Sequence, residues 1–127
     1  MDKAALVKTD FAIGTEVFEA FKNSDLEIDV ALWVRFSEYG DWRFLLSSRR
    51  LDQLEPLKAY RLVHDVLKQA SFPLEYMPPL LILKRTDSFI KDLRRIFGKA
   101  KNVEGIRLGG QMIGDRFIED AVVYRIQ

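Results

Sequence analysis

Between residues 84 and 107, eight basic side chains (Lys84, Arg85, Lys91, Arg94, Arg95, Lys99, Lys101 and Arg107) stand against three acids (Asp87, Asp92 and Glu104). The chain's formal net charge is only +1, so this stretch holds a local excess of five and leaves the remainder four negative. Cations gathered in this way can neutralise phosphates, giving affinity without base readout and binding that weakens steeply with salt. Lys91, Arg94, Arg95, Lys99 and Lys101 are the candidate contacts for nucleic acid or another polyanion. The ordinary alternative is a solvated helix face whose late cations complement the helix dipole.

Three further groups could do chemistry. Trp33, Arg35, Arg43 and Leu45 would share a sheet face if the strands carrying them pair as their alternation suggests. Were that face open, it would offer a stacking platform or a partner contact; large aromatics more often turn inward. Asp115, Glu119 and Asp120, with Asp29 from another strand, could hold a divalent cation for a small hydrolase, although turn carboxylates are commonly just solvated. No acid-x-lysine pair of the kind a carboxylate-dependent nuclease needs occurs on a strand. His64, the sole histidine, could act as acid or base, but no hydroxyl or carboxylate is tied to it by spacing, and a surface or boundary position is expected.

Gly109-Gly110-Gln111 resembles the tripeptide with which peptide release factors position a backbone amide for ester hydrolysis. The resemblance covers those residues alone. Arg107-Leu108 and Met112-Ile113 on either side read as strand, so a bulge or tight bend in a sheet is the structural expectation. There is no GxxxxGK[ST] phosphate loop, and the nearby glycines do not form a dinucleotide fingerprint.

The elements that must position these groups follow from periodicity. With 127 residues, 48% hydrophobic and 31% charged, the chain is expected to form a single α+β domain over 1–127, with 1–9 as a loose lead-in. Cysteine is absent, which removes disulfides and thiol chemistry and would leave a zinc site only His64 and carboxylates. The N-terminal residues lack the apolar core of a signal peptide, and no stretch is apolar for long enough to span a bilayer. A cytoplasmic protein without membrane association, metal or cofactor is expected.

Asp10 can cap a first helix with Ile13, Val17, Ala20 and Phe21 along one stripe; Gly14 weakens its first turn. Residues 27–37 alternate as a strand, and Trp42 to Ser48 form a second, with Gly40 in the loop. Matching Phe36 with Phe44 and Val34 with Leu46 would unite the apolar faces of that hairpin. Pro56 opens a helix that buries Ala59, Tyr60, Val63, Val66, Leu67 and Ala70. Leu80 to Leu83 is apolar at every position, which predicts a strand covered on both faces or central in the sheet. Asp87 then caps a helix with Phe89, Ile90, Leu93, Ile96 and Phe97 inward, ending at Gly98. Residues 106–113 and 117–126 complete the chain as strands joined near Gly114-Asp115. The order α-β-β-α-β-α-β-β implies a mixed or mainly antiparallel sheet of about five strands packed with three helices.

The leading functional expectation is a non-catalytic module that binds a polyanion through the basic helix. A protein-contact or self-associating module using Trp33 and its neighbours comes second. An enzyme using Asp115, Glu119 and Asp120, or His64, comes third.

Overall fold

The computed structural model describes residues 8–100 and 102–127. In chain order they form α1 (Lys8–Lys22), β1 (Ile28–Phe36), β2 (Trp42–Ser48), α2 (Arg49–Asp52), α3 (Pro56–Gln69), β3 (Leu80–Ile82), α4 (Ser88–Phe97), β4 (Arg107–Leu108), β5 (Gln111–Ile113) and β6 (Arg116–Ile126). The class is α+β, built on one six-stranded sheet of order β3-β2-β1-β6-β4 with β5 also on β6. All its pairings are antiparallel except that of β2 with β3. The expected lead-in falls mostly on residues 1–7, outside the described residues, and α1 is already helical at Lys8.

Helices cover both faces. On one side α1, α2 and α3 press Val17, Phe18, Phe21, Leu51, Val63 and Leu67 against Ala31, Trp33, Phe44 and Leu46. On the other, Phe89, Ile90 and Leu93 of α4 meet Val30, Leu32, Val34, Leu45 and Val123. Each layer removes several large apolar side chains from water, worth roughly 1.5–3 kcal/mol apiece.

This double cover corrects the hairpin register. Trp33 lies opposite Phe44, Leu32 opposite Leu45 and Val34 opposite Arg43, three positions away from the expected pairing. The expected register unites the apolar faces of the hairpin on one side. With both faces buried, a slip that exchanges them loses no burial, so the pattern does not select against it. Trp33 and Phe44 then meet edge to face, their centroids 5.4 Å apart, and Gly40 takes its turn at φ 75°.

Gly14 also finds its use here. A Cβ at that position would collide with the Tyr124 hydroxyl and the Trp33 indole nitrogen. The glycine lets α1 sit directly on β1 and β6, where the Tyr124 hydroxyl hydrogen-bonds with Thr15 and Trp33 and burial raises its pKa.

The apolar strand β3 is covered on both faces but lies at an edge of the sheet, not in the centre. Its outward Ile82 N–H donates to the Tyr60 hydroxyl at 3.0 Å, and Pro78-Pro79 just before it offer no N–H at all. A short edge capped in this way resists pairing with another chain.

The opposite edge holds the second surprise. Residues 106–113, expected as one strand, are broken at Gly109-Gly110 with Gly110 at φ 64°, which adds a strand to the expected count. Across the break the pairing with β6 keeps step, Leu108 with Ala121 and Gln111 with Ile118. Yet Leu108 and Ile113, an odd number of positions apart, both point into the α4 layer, as do Ile118 and Ala121. Both strands therefore change side at the same place. In β6 the cause is a bulge: Arg35 pairs with Asp120 and Phe36 with Ile118, which leaves Glu119 over. The glycines let the edge strand follow, since a Cβ on Gly109 would approach the Glu119 carbonyl oxygen to 3.0 Å. The bend expected from the glycine pair is real, and it serves the sheet.

Candidate polyanion-binding surface

Helix α4 begins where the Asp87 carboxylate accepts the Phe89 N–H at 2.9 Å. Phe89, Ile90 and Leu93 are fully buried. At about 100° per residue, this turns Lys91 and Arg95 directly away from the sheet and Arg94 to one flank. Among the described residues, α4 is the sole helix contributing to its layer. Ile96, expected inward, is 49% exposed, because it sits at the margin of the apolar arc.

The structure divides the expected cations. Lys91 and Lys99 are exposed and have no ion-pair partner among the described residues. Arg95, its side chain 70% exposed, lies 3.4 Å from Asp92 one turn earlier, a contact of small worth in water. Arg94 donates from Nε to the main-chain oxygen of Gln127 at 2.6 Å, a contact that becomes visible only once β6 is placed beside the helix. Lys101 lies outside the described residues.

Of the rest of the basic segment, Lys84 is exposed, and Arg85 and Arg107 are engaged elsewhere. Arg85 lies 3.2 Å from Asp29, while its main-chain N–H donates to the Asp52 carboxylate. Arg107 grips Asp120 with two hydrogen bonds of 2.8 and 2.6 Å. Of the five expected contacts, Lys91, Arg95 and Lys99 thus stand exposed, with Arg94 beside them.

Trp33, Arg35, Arg43 and Leu45 do not form a platform. Trp33 is 4% exposed and Leu45 fully buried, in opposite layers. Arg35 pairs with Glu119 at 2.6 Å. Arg43 stacks on Tyr39 at 3.9 Å and pairs with Asp41. The corrected register separates them: alternation places Arg35 with Trp33 and Arg43 with Leu45.

The carboxylates are likewise dispersed among partners. Asp115 accepts from Ser88 Oγ at 2.8 Å, Glu119 is taken by Arg35 and Asp120 by Arg107. The Arg107 guanidinium is the main reason the Asp120 pKa is lowered. Among the described residues, no three histidines or carboxylates come together to hold a metal ion. His64 is exposed on α3. No described helix is long and apolar enough to cross a membrane.

Set beside family models, curated proteins and solved structures, the chain matches none. Its functional reading rests on the geometry above.

Proposed function

We propose that the protein is a non-catalytic binding module that contacts nucleic acid or another polyanion through the outer side of α4. One observation carries this: Lys91 and Arg95 stand exposed on the sole described helix of its layer, with Lys99 exposed in the turn that follows and Asp92 between them as a counter-charge. If each neutralises one phosphate, log affinity should fall against log salt with a slope of about −2.7. Fluorescence anisotropy with labelled oligonucleotides at low salt tests it. Binding that weakens with salt, and that is reduced by Lys91→Glu and Lys99→Glu in a folded protein, is the expected result. Absence of binding to DNA, RNA and heparin at low salt overturns it.

A second reading, contact with another protein or a second copy, is favoured by a different surface from the buried Trp33 face. Met112 and Phe117, 59% and 39% exposed, face each other across β5 and β6. Light scattering across concentration tests self-association there: a monomer unaffected by Met112→Lys removes that form of it.

A further inference from the structure

The three outward cations do not distinguish one polyanion from another, but their setting does. Helix α4 has ten residues, Ser88–Phe97, which makes it about 15 Å long and 10–12 Å across. No other described helix flanks it in its layer. A lone helix of that breadth matches the major groove of B-form DNA, roughly 12 Å wide and 8.5 Å deep. The major groove of an RNA duplex is deep and too narrow for side chains to read.

The side chains agree with a groove. Arg94 and Arg95 diverge by about 100° around the axis, with Lys91 between them one turn earlier, so Lys91 and Arg95 face outward while Arg94, held by the Gln127 oxygen, lies to one flank. Phosphates along a groove facing the outer side of the helix would meet Lys91 and Arg95. Single strands are chiefly held by aromatic stacking. The exposed aromatics among the described residues, Tyr39, Tyr76 and Phe117, all lie on other elements. The N-terminal end of α4 carries Asp87 and the Ser88–Asp115 contact, so the C-terminal half is the half that would approach phosphate.

Resting on the polyanion reading above, we infer that the ligand is double-stranded DNA and that the C-terminal half of α4 enters its major groove. Arg95 and, in the turn after the helix, Lys99 contact its phosphates, as does Lys91 one turn before Arg95. Anisotropy titrations with three probes of one length test this: a DNA duplex, an RNA duplex of matching sequence and a single DNA strand. The DNA duplex should bind at least about tenfold tighter than either other probe. Lys91→Ala and Lys99→Ala should each lower the salt slope by about one. Thermal unfolding should confirm that each variant is folded. Equal or tighter binding of the RNA duplex or the single strand overturns the groove assignment and leaves the polyanion reading standing. Failure of all three probes to bind ends the groove assignment, and failure of heparin as well ends the polyanion reading.

Discussion

Replacing Gly14 with alanine puts a methyl group where the Tyr124 hydroxyl and the Trp33 indole nitrogen already sit. Helix propensity alone would make this substitution stabilising by nearly 1 kcal/mol. Overpacking of a filled site costs about 1–3 kcal/mol and wins, because the colliding atoms belong to two large rings hydrogen-bonded to each other. Gly14→Ala should therefore lower the urea midpoint, followed by tryptophan fluorescence. Asp120 makes a second residue-scale prediction. Its pKa is held below the ordinary 3.8, first by hydrogen bonding from Arg107, so folding binds its proton less tightly than unfolding does. The stabilisation is complete above the unfolded value and is lost as pH falls through the lowered folded one. The stability difference between the native protein and Asp120→Asn should shrink between about pH 5 and pH 2; a difference that stays constant over that range refutes the assignment. Gly14 looked out of place in its helix, and it and Asp120 are each explained by neighbours elsewhere in the chain.

The elements differ in how far they could be read beforehand. Helix α4 and strand β2 were legible nearly to the residue, because an Asp cap, an apolar stripe and a flanking glycine are local signals. The hairpin register was not, since residues 28–36 bury both alternating sets and only the helices above and below choose between them. Nor was the edge position of β3, which depends on the Tyr60 hydroxyl reaching it from α3. Tyr60→Phe removes the acceptor of the Ile82 N–H and should cost about 1 kcal/mol. The bared edge should also make the variant more prone to associate on standing, measurable by light scattering; a variant as monodisperse as the parent argues that the prolines guard the edge by themselves. The basic segment was half legible: its cations were plain, while Gln127, Asp29 and Asp120, which engage Arg94, Arg85 and Arg107, come from elsewhere in the chain. Charge reversal at Lys91 and Lys99 should leave stability within about 0.5 kcal/mol of the parent, since neither has an ion-pair partner to lose.

For the molecule as a whole, two apolar layers share one sheet, and β1 contributes to both with alternate residues. Neither layer can open without disturbing the strands that line the other. Leu93→Ala beneath α4 and Val63→Ala beneath α3 should accordingly shift one common unfolding transition, the leucine by about 2–5 kcal/mol. Both tryptophans lie in the layer opposite α4, so they report on Leu93 only if the layers are coupled. A Leu93→Ala variant that loses helical circular dichroism before its tryptophan signal changes would show them to be separable. The matched breaks at Gly109-Gly110 and Glu119 carry a different consequence. Shortening β6 by Glu119 alone would leave the edge strand one residue too long for its neighbour, and trimming a glycine alone would leave it one short. Removing both would straighten the two strands together with their core side chains still inward, so insertions and deletions in this corner of the sheet have to arrive in couples.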